Sequence, residues 1–349
     1  MGHTVTLQPS GHTFEAKEGE SILSAALEAG YAIPYSCRAG TCRTCRGHVR
    51  EGQVDFGTVH PTYLPDEDKA KGLALLCQAS ALSDLTIEVE ELDEMAAIQA
   101  RETPCRIFKM DKPAPDVTVL TLRLPMNENM RFLAGQYVDF LLPEGRRRSY
   151  SIATRPALEG VTMIDLHIRH VDGGYFTQQV MGAFKGREIV RFEGPLGAFY
   201  LRENSQKPII MVASGTGFAP IKAMCEHIFH RNINKDRPVT LYWGGRTRVD
   251  LYMLELAETW ARERENFSFV PVLSEATPAC TWNGRTGFVH TAVMQDYPDM
   301  SAFQVYACGA PVMVDAARRD FIAQCKLPED EFFADAFLTE ADRAAAKVA

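Results

Sequence analysis

Three kinds of hydrophobic patterning follow one another along the chain. Over residues 3 to about 92, the short alternating segments VTLQP and TFEAKEG predict strands. Ser21 to Ala29 predicts a helix, with Glu18 and Glu20 near its start and Gly30 just past its end. From Cys105 to about Leu201 the period is two, in VTVLTLRLP, GQYVDFLLP, RRSYSIAT and MIDLHIRHV. Pro and Gly turns separate these runs, a spacing that predicts a small antiparallel barrel. From Lys207 onward strands alternate with helices: PIIMVASG, a helix through His227, VTLYWGG, a helix from Asp250 to about Glu263, FSFVPVLS and QVYACG. That alternation predicts a doubly wound parallel α/β sheet, which takes ligands at the carboxyl ends of its strands. Between the first two blocks, DEMAAIQARE reads as a linker helix or connector ended by Thr103-Pro104. The expected organisation is multidomain α/β plus β, with domains at 3–92, 104–203 and 204–349 and a linker at 93–103.

Composition narrows the function classes. The 349 residues are 46% hydrophobic and 23% charged, with a net charge of −8. This is a globular balance without the Lys and Arg excess of a nucleic-acid binder. No apolar run approaches the roughly 20 residues that cross a bilayer, and MGHTVTLQPSGHTF carries no basic-then-apolar leader. The expectation is a cytoplasmic protein with neither nucleic acid nor membrane as partner. The opening letters also fit a loose acylation pattern at Gly2, but HTVTLQP alternates as a first strand does.

Of nine cysteines, four stand at ligand spacing: Cys37, Cys42, Cys45 and the distant Cys77. Cys-x4-Cys-x2-Cys with a remote fourth Cys is the plant-type ferredoxin arrangement, in which four thiolates hold two irons and two sulfides. Ala39 and Gly40 are small enough for backbone N–H groups to approach the sulfides. A structural zinc site is the alternative, although zinc modules usually pair two Cys-x2-Cys knuckles and only Cys42 and Cys45 form one here. Residues 1–92 hold 13 Asp and Glu against 7 Lys and Arg, so the run Arg38, Arg43, Arg46 and Arg50 stands out. It reads as a solvated basic face or as a docking surface for an acidic partner or the flavin domain. Cys105, Cys225, Cys280 and Cys325 lack partners at ligand spacing and read as packing residues; His167, His170 and His227 have no metal spacing and read as core or surface histidines.

The second block contains Arg148-Ser149-Tyr150-Ser151. On a strand, residues 148 and 150 share a face, so a guanidinium and an aromatic ring can grip one ligand. Farther on come Gly173-Gly174-Tyr175-Phe176-Thr177 and, at a strand-to-helix turn, Gly215-Thr216-Gly217-Phe218-Ala219-Pro220. Helix N-termini and close-approaching glycines favour phosphate. Pro220 replaces the third glycine of the common dinucleotide fingerprint, and no acidic residue closes the second strand. Cys308-Gly309-Ala310-Pro311-Val312-Met313 follows a later strand.

Together these stretches resemble the ferredoxin-NADP reductase superfamily, with its Arg-x-Tyr-Ser, Gly-x-x-Ser/Thr, Gly-Thr-Gly-x-x-Pro and Cys-Gly-x-Pro-x-Met motifs. The resemblance implies a β-grasp ferredoxin domain, an antiparallel six-stranded FAD barrel and a nicotinamide domain. It implies that Arg148 pairs with flavin phosphate, Tyr150 packs on the isoalloxazine beside Ser151, and Gly173, Gly174 and Thr177 hold the pyrophosphate. Gly215, Thr216, Gly217 and Pro220 would bind the nicotinamide dinucleotide, with Gly309 beside Cys308. Cys308 is either a small buried hydrophobe or, as the resemblance implies, a neighbour of the nicotinamide C4. Arg246, after the second strand, could meet a 2′-phosphate, yet a similar arginine occurs in NADH users of this type, so NADH and NADPH both stand, NADH slightly preferred. Phe337 is a flavin-shielding ring or a core phenylalanine.

The order ferredoxin, flavin, nicotinamide is similar to the reductase components of bacterial multicomponent oxygenases and of CDP-6-deoxyhexose biosynthesis. It implies hydride transfer to FAD, then single electrons through a 2Fe-2S cluster to an oxygenase component or a pyridoxamine-dependent dehydrase. A redox-sensing flavo-iron–sulfur protein without turnover would carry the same motifs, as would, but for the cluster, a bare flavin reductase.

Overall fold

The computed structural model describes residues 2–96, 98–171, 175–184, 186–277, 281–339 and 342. Internal contacts divide the chain into two compact units: Met1–Gln99 with Gly197–Phe199 and Asp335–Ala349, and Ala100–Leu196 with Tyr200–Ala334.

In the first unit, β1 (Gly2–Gln8), β2 (Thr13–Lys17), β3 (Arg46–Glu51), β4 (Val54–Asp55), β5 (Leu73–Leu75), β6 (Ser80–Ala81) and β7 (Leu85–Glu88) alternate with α1 (Ile22–Glu28), α2 (Asp66–Ala70) and α3 (Asp93–Ala96). The main sheet has the order β2-β1-β7-β3-β5. Its β1–β7 pair is parallel and its other pairs antiparallel. Along β1 the inward residues Val5 and Leu7 are fully buried, as a one-sided strand requires. Helix α1 starts where expected because the Ser21 hydroxyl accepts the Ser24 N–H at 3.2 Å. It buries Ile22, Leu23, Ala25 and Ala26.

The second unit opens with β8 (Arg101–Ala114), β9 (Val117–Arg123), β10 (Tyr137–Leu141), β11 (Arg147–Ser151), β12 (Met163–Arg169) and β13 (Ile189–Leu196). These form a six-stranded sheet in the order β11-β10-β13-β8-β9-β12, antiparallel at every pair. The two end strands meet at an Ile152–Leu166 bridge. Its interior is apolar and holds Leu120, Leu122, Phe140, Ile152, Leu166, Phe176 and Phe192. Pro104 does not end the connector as expected; it lies inside β8, opposite Arg191. Pairing of β8 with β9 begins only at Arg106, so β8 is an edge at that point and a residue lacking an N–H costs no ladder bond there.

The parallel sheet follows, with β14 (Ile209–Ser214), β15 (Val239–Gly245), β16 (Phe267–Leu273), β17 (Arg285–Thr286), β18 (Gln304–Gly309) and β19 (Phe332–Ala336), in the order β17-β16-β15-β14-β18-β19. Helices α4 (Phe218–Arg231), α5 (Leu254–Glu263), α6 (Val289–Asp296) and α7 (Pro311–Cys325) connect these strands. Pro220 and Pro311 both fall in a first helical turn, where a missing N–H removes no helical bond. Helix α5 starts four residues later than the sequence suggested. Asp250 instead accepts the Thr247 N–H at 2.8 Å in a capping box, and Leu251 is non-helical (φ −88°, ψ 59°).

Candidate functional site

The four spaced cysteines come together by register. Strand β3 starts directly after Cys45 and pairs Arg46 with Leu75, two residues before Cys77. The Leu76 N–H also donates to the Cys45 carbonyl at 2.9 Å. The loop before β3 turns through three left-handed residues, Arg38, Gly40 and Arg43, at φ 51°, 74° and 63°. Each arginine held there costs about 1–2 kcal/mol, strain that a loop wrapped round a ligand sustains. Its N–H groups point inward: those of Ala39 and Cys42 donate to Cys37 Sγ at 3.3 and 3.4 Å, and the Thr41 hydroxyl does so at 3.4 Å. Gln78 braces the loop from outside through the Arg38 carbonyl (3.0 Å).

The thiols form two pairs, Cys37 with Cys42 and Cys45 with Cys77. A hydrogen bond from Cys42 is the main reason the Cys37 thiol sits well below its ordinary range, and one from Cys45 lowers Cys77. Cys42 and Cys45, the donors, are pushed up. Among the described residues no three His, Cys, Asp or Glu side chains converge as ligands of a single ion would. Two pairs, each with one thiol disposed to ionise and donors aimed at sulfur, suit a centre with two ligands per iron. Cys42, Cys45 and Cys77 are buried and Cys37 is half-buried. Arg43 is tied to Asp68 at 2.9 Å and Arg50 to Glu88, so part of the basic run is neutralised locally.

In the second unit, β10 and β11 pair Phe140 with Arg148, Val138 with Tyr150 and Tyr137 with Ser151. Arg148 and Tyr150 therefore share a face. Tyr150 stands edge-on to Phe140 (5.8 Å) and tilted against Phe176 (5.3 Å), and Arg146 lies over the Tyr175 ring at 4.5 Å. The Arg-x-Tyr-Ser strand is thereby joined to the described end of the glycine turn, where Thr177 is buried in a single π-helical turn. Gly173 and Gly174 lie outside the described residues, as does Cys280. Burial pushes the Tyr150 hydroxyl up, keeping it neutral. Ser151 Oγ is buried without a hydrogen-bond partner, a cost of about 1–3 kcal/mol that a bound polar ligand would relieve. The residues present thus fit a flavin.

At the carboxyl edge of the parallel sheet, Gly215–Gly217 meets the Cys308 segment in direct backbone contact. A Cβ on Gly217 would lie 2.1 Å from the Cys308 carbonyl oxygen, and one on Gly309 2.2 Å from Ser214 Oγ. Only glycine fits at either place. Ser214 Oγ accepts the Ala310 N–H at 2.9 Å, and Trp243 Nε1 donates to the Gly215 carbonyl at 3.0 Å. Phe218 stacks flat on Trp243 (3.9 Å, 9°), and Thr216 and Cys308 are buried. Pro220 lies in the first turn of α4, Arg246 is exposed past the tip of β15, and Phe337 lies half-buried beyond β19.

Two features escaped the sequence. Arg169 bridges Asp116 (3.0 Å) and Asp250 (2.5 Å), and its Nη1 would be 3.0 Å from a Cβ at Gly215. His167 is buried and bonded to the Tyr252 hydroxyl at 2.8 Å; burial lowers it to about 3. Strand alternation put 167 and 169 on one face, but Tyr252 and Asp250 lie 85 and 81 residues away, beyond any local spacing signal.

Family models match along the chain in the same order: 2Fe-2S iron-sulfur cluster binding domain at 5–82, Oxidoreductase FAD-binding domain at 104–200 and Oxidoreductase NAD-binding domain at 211–319. The CDP-6-deoxy-L-threo-D-glycero-4-hexulose-3-dehydrase reductase of Yersinia pseudotuberculosis serotype I (strain IP32953) is 41% identical over 338 residues, 97% of this chain and 99% of that protein. The chain belongs to the ferredoxin-NADP reductase superfamily. Within it, this reductase is also similar to the phenol 2-monooxygenase reductase component DmpP of Pseudomonas sp. (strain CF600), at 34% identity over 99% of the chain and 97% of the relative. The crystal structure of Amycolatopsis cytochrome P450 reductase GcoB matches with a TM-score of 0.76 and 31% identity, covering 96% and 98% of the two chains. The reductase is therefore an NAD(P)H-dependent iron–sulfur flavoprotein oxidoreductase with 2Fe-2S, FAD and nicotinamide domains. Among the described residues no helix is long and apolar enough to cross a membrane.

Proposed function

We propose that this reductase delivers single electrons to a separate acceptor protein, a dehydrase or oxygenase component of the kind its relatives are named for. When bound, FAD would supply the switch between two-electron chemistry with the nicotinamide and one-electron chemistry with a 2Fe-2S cluster. Cys37, Cys42, Cys45 and Cys77 would hold the irons, with the Ala39 and Cys42 N–H groups and the Thr41 hydroxyl donating toward Cys37 Sγ. Arg148 anchors the flavin phosphate, Tyr150 supplies a neutral ring against the isoalloxazine, and Ser151, Thr177, Gly173 and Gly174 complete the flavin contacts. Gly215, Thr216, Gly217 and Pro220 form the turn that seats the dinucleotide phosphates at the start of α4. Cys308 and Gly309, pressed against that turn, border the nicotinamide, while Arg246 meets the adenosine half of NADH or NADPH and Phe337 shields the flavin.

In this reading the first sheet is a β-grasp and the six-stranded sheet a barrel closed at Ile152–Leu166. The domains run 3–92, 104–203 and 204–349, with the start of β8 at Arg101 shortening the linker. The place of work is the cytoplasm. The observation that carries the reading is the register that brings Cys45 beside the Cys77 segment, next to a loop whose donors face Cys37 Sγ, in a chain that also presents a flavin strand and a dinucleotide turn. Protein isolated anaerobically should contain FAD and two irons with acid-labile sulfide per chain, and should reduce cytochrome c with NADH or NADPH. A colourless protein without iron would overturn the proposal.

A further inference from the structure

The cluster loop is tied down at its start as well as along its length. Ser36, directly before Cys37, is buried and donates its hydroxyl to Asp335 Oδ1 at 2.5 Å, across 299 positions of sequence. One residue earlier, the Tyr35 carbonyl accepts the Ala198 N–H at 2.6 Å. Tyr35, Ala198 and Asp335 are all buried, and all fall within the first compact unit. A carboxylate taken out of water costs several kcal/mol unless hydrogen-bonded, so Asp335 is not an incidental neighbour. Its bond lands beside the least buried of the four cysteines, at the entrance to a loop with three left-handed residues. A stiff loop of that kind is aimed by its end points. Fixing Ser36 fixes the direction from which Cys37 enters.

From this geometry, and resting on the electron-relay reading above, we propose that Asp335 is a positioning residue for the cluster. It acts through Ser36 to hold Cys37, and so governs delivery of electrons into and out of the cluster without a part in hydride transfer.

The test is the holoenzyme carrying Asp335→Ala, with Asp335→Asn, whose amide oxygen can still accept the Ser36 hydroxyl, as the conservative control. With NADH and ferricyanide, an oxidant that draws electrons from the flavin directly, Asp335→Ala should stay within about twofold of wild type. With cytochrome c its rate should fall about 10-fold or more, the usual range for loss of a partner behind a metal ligand. A readout independent of turnover accompanies these rates: the dithionite-reduced variant should keep its iron and sulfide but show an altered electron paramagnetic resonance line shape. Amides of residues 35–42 should exchange hydrogen faster, and Asp335→Asn should restore most of each property. Wild-type cytochrome c rates and line shape in Asp335→Ala would overturn the inference. So would a parallel loss of the ferricyanide rate, or loss of iron from both variants, which would make Asp335 a folding residue. If wild-type protein itself fails to reduce either acceptor, the relay reading falls first.

Discussion

The cluster loop and the Gly215–Gly217 turn solve opposite problems with the same backbone. Around Cys37 the chain accepts strain, holding two arginines in left-handed conformation so that N–H donors face sulfur. At Gly217 it avoids all side-chain bulk, because Cys308 occupies the space a Cβ would need. One site is defined by the donors its backbone presents, the other by what its residues lack. Substitutions should therefore fail differently: the first by losing a metal centre, the second by losing shape.

The largest separation is expected from Cys45→Ser. Removing one of four thiolates should empty the cluster and lower cytochrome c reduction by about 100-fold, while ferricyanide reduction by NADH persists. Iron analysis with both assays checks this, and equal loss of both activities would break the distinction. A smaller, purely steric effect is expected from Gly217→Ala. Overpacking against the Cys308 carbonyl should cost about 1–3 kcal/mol and raise KM for NADH, leaving FAD and iron contents unchanged. Thermal melting and steady-state kinetics measure it, and a variant with wild-type KM would show that the turn is not under contact pressure.

The smallest effect is one of pH. His167, in the unit that holds the Gly turn, is kept neutral by burial down to about 3, whereas unfolded it takes a proton near its ordinary 6.5. The unfolded state thus binds more protons below that value. Stability contributed by neutral His167 is full above pH 6.5 and declines on acidification by at most about 1.4 kcal/mol per pH unit until it titrates in the fold. His167→Gln should flatten that slope in denaturant titrations at pH 5 to 7. An unchanged slope would place the acid sensitivity elsewhere.

The contrast also explains what could be read without coordinates. The spacing of Cys37, Cys42, Cys45 and Cys77 was legible because a loop wrapped round two irons would dictate covalent spacing, and β14, β15, β16 and β18 were legible because buried parallel strands are continuous apolar runs. The motifs at Arg148 and Gly173 gained weight only from their order and from the neighbouring blocks. Pro104 misled because its strand is an edge at that point, a fact set by where β9 begins to pair. The Arg169–Asp250, His167–Tyr252 and Ser36–Asp335 contacts were invisible because each partner lies 81, 85 or 299 residues away and nothing local encodes it.

The most direct measurement is an anaerobic titration of the isolated protein with NADH, followed by absorption and electron paramagnetic resonance. The account predicts loss of the flavin band together with a reduced iron–sulfur signal that Cys45→Ser lacks. A cluster that dithionite reduces and NADH leaves oxidised would contradict it.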